Sequence, residues 1–270
     1  MPADSQNRIH RHPAAPWAEL RVSVDTLACY RAHSHDEYSI GLVDQGSATF
    51  HHPSGPHAVR AGTAVLIEPT VVHSCNPSSR QRWSYRMLFV DATWLHKAVA
   101  QVWNMSTPPE HLEFLSRCVD DPAVVQKVSS FCDPLASDAA ACALAVELPA
   151  WIATWARPGR AQDAEPLPVE LAPALETLHA QLERKITVGE LAARCNMPAS
   201  QFIRRFQLAL DMTPGRYLQN LRINGARRLL SQGMSLAEAA HTMGFADQAH
   251  LQRTFKAHHA MTPGSYRHRP

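Results

Sequence analysis

The stretch RAHSHDEY places His33, His35 and Glu37 at alternate positions, and a further histidine, His73, closes a later apolar run. On a β-strand, positions i and i+2 project to the same side. The three side chains would then point together into a barrel, with Arg31 on the same face and His73 completing the group. Two imidazoles, a carboxylate and a distant imidazole form a ligand set that suits iron, zinc or nickel. The same residues equally suit a polar effector pocket in which Arg31 pairs with an anion. A third reading leaves them as surface or structural histidines. Six cysteines are scattered with no C-x-x-C pair, which argues against a zinc knuckle or a thioredoxin-like motif and makes them small packing residues.

The elements that must position these groups are short and β-like. From Leu20 to about Val90 the runs RVSVDTLACYR, YSIGLVDQGSATFHH, AVRAGTAVLIE and WSYRMLFVD are separated by Gly, Pro, Ser and Asn clusters, the pattern of a small all-β barrel or sandwich. The period then becomes helical. ATWLHKAVAQVW, DPAVVQKVSSF and DAAACALAVELPAWIATWA carry apolar residues three and four apart, and Asp121-Pro122 reads as an N-cap followed by proline at the first helical position. The expected organisation is a loose arm over residues 1–15, a barrel over 16–91, a helical coupling or dimerisation region over 92–156, a Pro/Gly-containing linker over 157–168, and an all-helical domain over 169–270.

The chain of 270 residues is long enough for two domains, and 45% apolar residues can fill a core in each. No stretch approaches the ~20 apolar residues of a membrane span, and the start MPADSQNRIHRHP has no apolar signal core. The expected location is the cytoplasm, with no membrane partner. The net charge of +2 conceals a division. Residues 168–270 hold 13 Lys and Arg against 7 Asp and Glu, a balance of +6, while residues 1–167 hold 13 against 17, a balance of −4. Only the C-terminal part is charged to meet a polyanion.

That part is written twice. Met212–Tyr217 and Met261–Tyr266 both spell MTPG-x-Y, and a recurrence at this distance marks a supersecondary unit made twice. Upstream of each copy lie a short helix, a tight turn at Asn196 or Gly244 suited to positive φ, and a second helix with an i, i+4 apolar pair, Phe202/Phe206 or Leu251/Phe255. This is the sequence form of a helix-turn-helix. Thr213 and Thr262 serve as N-caps, Pro214 and Pro263 occupy the first helical position, and Tyr217 and Tyr266 should pack back on the unit just completed.

With those residues in view, 170–268 resembles the DNA-binding region of the AraC/XylS transcription regulators, most closely in GFADQAHLQRTFKAHHAMTPGSYR (244–267). The resemblance implies two recognition helices in successive major-groove segments of double-stranded DNA, joined by the helix TPGRYLQNLRINGARRLLSQ with Arg216, Arg222, Arg227 and Arg228 available for solvent or phosphate. Recognition helices read bases with their N-terminal parts. The base-reading candidates are therefore Ser200, Gln201 and Arg204 in the first unit, and Gln248, His250, Gln252 and Arg253 in the second. Gln and Arg make bidentate contacts with adenine and guanine. Phosphate candidates are Lys185, Arg205, Lys256 and the helix starts at Thr213 and Thr262. The first unit departs from the family pattern, with Asn196 and Pro198 where Gly and Ser are more usual.

Residues 31–77 similarly resemble the cupin-type sensor found in front of such regions, through His33-x-His35, Gly46, Gly62 and Pro69-x-x-x-His73. The fold class implied is α+β and multidomain: a cupin-like β-barrel with following helices, then an all-α domain with two helix-turn-helix units. The function implied is a non-catalytic, effector-controlled transcription regulator, with no obligatory cofactor. RNA polymerase is a further partner and a homodimer an expected assembly. The rival reading, a metal-dependent cupin oxygenase or isomerase fused to a DNA-binding domain, would require the histidine set to hold a metal.

Overall fold

A computed structural model describes residues 7–27, 29–78, 81–159 and 168–267. The chain divides into two compact units. The first holds most of the chain up to the linker. Its main sheet is antiparallel with order β1-β2-β8-β3-β6-β10, formed by Asn7–His10 (β1), Ala18–Thr26 (β2), Trp83–Val90 (β8), Tyr38–Gln45 (β3), Ala64–Ile67 (β6) and Cys118–Val119 (β10). A three-stranded sheet joins Gly55–Arg60 (β5), Ser47–His52 (β4) and Ser74–Pro77 (β7). His111–Phe114 (β9) pairs with Ala156–Gly159 (β11). The expected barrel is thus a cupin-like sheet arrangement that does not close.

Register explains why this sheet accepts helices on one face. Leu20 opposes Leu88, Leu88 opposes Ile40, and Ile40 opposes Leu66. All four are buried, a row across four strands. Burying each such side chain is worth about 1.5–3 kcal/mol. The row packs with residues of Ala92–Val102 (α1), Pro122–Phe131 (α2) and Asp138–Trp155 (α3), among them Leu95, Val99, Val128, Leu148 and Ile152. Asp121 caps α2 ahead of Pro122, and Asp91 and Ser137 cap α1 and α3.

Three expectations change here. Asn7–His10 is a paired strand within the stretch read as a loose arm, because its backbone finds a ladder on β2. The region 92–156 is interrupted by β9 and β10, since short strands complete their hydrogen bonds on elements distant in sequence. Residues 157–159 of the linker lie in β11, and 160–167 fall outside the described residues.

The second unit comprises the chain beyond the linker together with Tyr30–Ser34. Its helices are Ala172–Ala180 (α4), Val188–Arg194 (α5), Ala199–Leu210 (α6), Pro214–Ser231 (α7), Leu236–Thr242 (α8), Gln248–His259 (α9) and Pro263–Arg267 (α10), with a 3₁₀ turn Val169–Leu171 leading into α4.

Candidate nucleic-acid interface and sensor site

The two modules, α5–α6 and α8–α9, are built from the same backbone devices. Asn196 and Gly244 hold the turns at φ +52° and +68°. Met197 N–H donates to the Ala192 carbonyl at 3.1 Å, and Phe245 N–H donates to that of Ala240 at 2.9 Å. Each is the six-to-one bond that satisfies an orphan carbonyl at a helix C-terminus. Both second helices end on a left-handed residue, Asp211 at +50° and Ala260 at +51°. Thr213 and Thr262 then cap the next helix by accepting from the N–H of Arg216 and Ser265. Tyr217 packs on Phe206 at 5.6 Å and Tyr266 on Phe255 at 5.4 Å, as expected of residues that close each module. Phe202, Phe206, Leu251 and Phe255 are fully buried.

With one face of α6 and α9 pinned inward, the opposite face is presented to solvent. Ser200, Gln201 and Arg204 are exposed on α6; Gln248, Gln252 and Arg253 are exposed on α9. Among the described residues neither Arg204 nor Arg253 hydrogen-bonds or pairs with another side chain, so each guanidinium retains its donors for an external acceptor. Lys185 and Lys256 are exposed as well.

Other candidates are engaged within the fold. The His250 N–H is held by Asp247 at 2.6 Å, while its ring accepts from Ala246 N–H at 3.4 Å and stands edge-on to Phe245. It braces the turn instead of standing out with Gln252. Arg205 pairs with Glu170. The Thr213 and Thr262 hydroxyls cap their own helices, whereas the phosphate contact expected at these helix starts is one to backbone N–H groups. On α7, Arg222 donates to the carbonyls of Leu182 at 2.7 Å and Arg184 at 2.8 Å, and Arg227 is buried. These two are internal, and a sequence of similar arginines carried no sign of it.

The proposed alternation of Arg31, His33, His35 and Glu37 does not form, because residues 29–37 are not a strand of any of the three sheets. Arg31 and His33 belong with the second unit. Ser34 donates its N–H to Asn220 Oδ1 at 3.2 Å. Asn220 Nδ2 in turn donates to the Ser34 carbonyl and hydroxyl at 3.1 and 3.0 Å, and Asn224 Nδ2 donates to the same carbonyl at 2.8 Å. Asn220 and Asn224 are buried on α7 one turn apart, and buried amides need such partners. Two asparagines at i, i+4 inside an otherwise apolar stripe were the available signal for this contact.

His35 and His73 do come together. Both are buried, their rings 4.9 Å apart and edge-on, with Phe89 against His35 and Phe50 near His73. His35 Nδ1 faces the Glu37 carbonyl at 2.9 Å and its Nε2 meets Ser39 Oγ at 3.1 Å; His73 Nδ1 faces the Val71 carbonyl at 2.9 Å. Nδ1–H donating to a carbonyl is the tautomer these contacts assign. Burial pulls the His73 pKa down to about 4, against the opposing pull of its bond to Val71. The group is therefore neutral at pH 7. Among the described residues no three His, Cys, Asp or Glu side chains converge as a metal requires, and of the four residues in the metal reading, one of the three left open by the sequence, His35 and His73 are the two whose rings meet. His52 lies at the β4–β5 hairpin, between Ser54 at 2.7 Å and Arg117 at 3.3 Å. Burial first, then Arg117, lowers its pKa to about 4.

An open cleft of about 560 Å³ lies elsewhere in the first unit, lined in part by Asp44, Arg86, Val125 and Asp133. Arg86 is saturated there by Asp44, Asp133, Ser129 and the Cys132 carbonyl. It fastens α2 to β3 and β8.

A sheet-rich unit joined to a unit with paired helix-turn-helix modules defines a DNA-binding regulator with a separate sensor. Residues 23–153 match the AraC-like ligand binding domain, and residues 191–269 match a helix-turn-helix domain. The chain belongs to the AraC-like transcription regulators. It is 25% identical over 227 residues to the uncharacterized HTH-type transcriptional regulator YbfI of Bacillus subtilis, covering 81% of this chain and 80% of that one. A putative AraC-like transcription regulator of Streptomyces lividans is 36% identical over 101 residues, covering 37% and 33%. Among solved structures, ToxT from Vibrio cholerae with a bound unsaturated fatty acid aligns over 93% of this chain and 94% of its own with a TM-score of 0.55 at 11% identity. That likeness concerns the fold. No helix among the described residues is long and apolar enough to cross a membrane.

Proposed function

We propose that this regulator engages one asymmetric DNA site with both modules, the N-terminal faces of α6 and α9 entering successive major-groove segments. The observation that carries this reading is the pair Arg204 and Arg253. They stand at equivalent positions of two modules built alike, both exposed and neither bonded within the described fold. Segments one DNA turn apart lie ~34 Å from centre to centre. Arg204 and Arg253 read bases, supported by Ser200, Gln201, Gln248 and Gln252, while Lys185 and Lys256 meet phosphate. Replacing either arginine with alanine weakens specific binding by about 1–3 kcal/mol and relaxes preference at a few base pairs. Unchanged sequence preference in both variants, measured by selection from a random DNA pool, rules the assignment out.

Control rests with the first unit. A small molecule bound near His35 and His73 shifts the balance between states of the protein that differ in affinity for it. The surroundings, the neutral His73 imidazole and the His35 ring with Ser39, Phe50 and Phe89, favour a ligand with an apolar body and one or two hydrogen-bonding groups. The fatty acid held by the fold relative ToxT is of that general kind. His35→Ala or His73→Ala should change the response to an effector and leave basal DNA affinity within about twofold; normal responses in both variants exclude the site. The protein acts without catalysis in this reading. RNA polymerase, a second copy of the chain and a cytoplasmic location enter it on the strength of the family alone.

A further inference from the structure

The loop between α4 and α5 belongs to the first module by its side chains and touches the second by its backbone. Leu182 and Ile186 pack against the core that contains Phe202, Phe206 and Leu218. Between them, the backbone of Glu183 lies directly against the turn of the second module. A Cβ placed on Gly244 would stand 2.5 Å from the Glu183 carbonyl oxygen and 2.7 Å from its Cα. The joining helix α7 holds the same loop through Arg222, whose guanidinium spans the Leu182 and Arg184 carbonyls. Bare backbone on α7 then meets the second module again, since a Cβ on Gly225 would lie 2.2 Å from Met243 Sδ.

Gly244 is thus constrained twice. Its φ of +68° suits glycine, but Asn196 holds the equivalent turn at +52° without being one. What excludes a side chain at 244 is the loop. Moving the second module relative to the first would open the Glu183–Gly244 contact, while the Arg222 bonds hold the loop to α7 and so keep its backbone where Gly244 meets it.

We infer that the loop Leu182–Arg184 is a spacer that fixes the separation and rotation of the two recognition helices, with Gly244 and Arg222 as positioning residues for the spacing of the DNA site. The inference rests on the reading that both modules bind DNA. One added base pair displaces the second half of a site by ~3.4 Å and turns it by roughly 35°, an error that a rigid pair of helices cannot absorb and a loosened pair can.

The test uses the full chain and a duplex selected by it from a random pool, with zero, one or two base pairs inserted between the two protected segments. The unsubstituted protein should lose at least about tenfold in affinity per insertion, the scale of one mismatched base pair. Gly244→Asn keeps a residue that tolerates positive φ and adds the Cβ; Arg222→Met keeps the aliphatic stem and removes both bonds. Each should bind the parent duplex about three- to tenfold more weakly, yet lose less than about threefold per insertion. Variants that bind more weakly but retain the full insertion penalty would show that the loop serves folding alone and overturn the inference. If Gly244→Asn does not fold, as judged by its thermal melt, Arg222→Met decides. Indifference of the unsubstituted protein to insertion would instead remove the two-module reading, and the spacer with it.

Discussion

The two helix-turn-helix modules share their backbone and differ in almost everything that faces outward. Both turn through a left-handed residue, both end their second helix on another, and both start the next helix with Thr-Pro. Around that common frame, Pro198 begins α6 with no side-chain cap, whereas Asp247 caps α9. Glu238 completes a capping box with Ser235 at the start of α8, while its counterpart Glu190 pairs with Arg184. Leu208 is an exposed apolar residue on α6; its counterpart on α9 is Ala257. The frame is what chain geometry demands of any tight helix–turn–helix. The outward residues are free to vary, and there the two copies of one fold differ.

Substitutions in the shared frame should cost similar amounts in both copies. Phe206→Ala and Phe255→Ala each remove a fully buried ring and should destabilise by about 3–5 kcal/mol in denaturant titrations. A large inequality would show that one module leans on the other for its core.

A second difference is titratable. His258 is buried in the second module, its pKa lowered to about 4 by burial and then by Arg31; the equivalent position in the first module is Ala209. The unfolded chain, with a histidine pKa near 6.5, binds the proton more readily than the folded one. Stability is therefore whole above pH ~6.5 and falls as pH drops toward 4, by about 2 kcal/mol between pH 7 and pH 5. His258→Ala should reduce the pH dependence of unfolding by that amount, leaving the contribution of His73, which has the same sign. Equal pH profiles before and after substitution would contradict it.

The smallest effect concerns the left-handed C-caps. Ala260 sits at φ +51°, a conformation costing a non-glycine residue roughly 1 kcal/mol. Ala260→Gly should stabilise by about 0.5–1 kcal/mol in thermal melts, and Asp211→Gly by less, because aspartate tolerates this region better. A loss of stability in Ala260→Gly would mean that the Ala260 methyl contributes packing that outweighs the strain.

The helical modules were legible because their determinants are close along the chain: caps, i, i+4 pairs and turn residues. The strand runs of the first unit were legible for the same reason, through apolar alternation bounded by turn residues. The sensor site was only half legible. His35 and His73 meet, but the strand meant to align them with Arg31 and His33 does not exist, since Ser34 finds its hydrogen bonds on α7 instead. Nothing local distinguishes an extended segment that joins a sheet from one that takes its partners on a helix far along the chain.

By itself the sequence determined the two modules, their capped boundaries and the family they signal, because hydrogen bonds and side-chain contacts within a few residues specify helices and turns. Which arginines remain outward was decided only by the tertiary structure. Arg253 and Arg222 are alike as residues, yet one is exposed on α9 while the other spans two carbonyls of the α4–α5 loop. That choice depends on carbonyls far away along the chain being brought within hydrogen-bonding distance, which packing alone achieves.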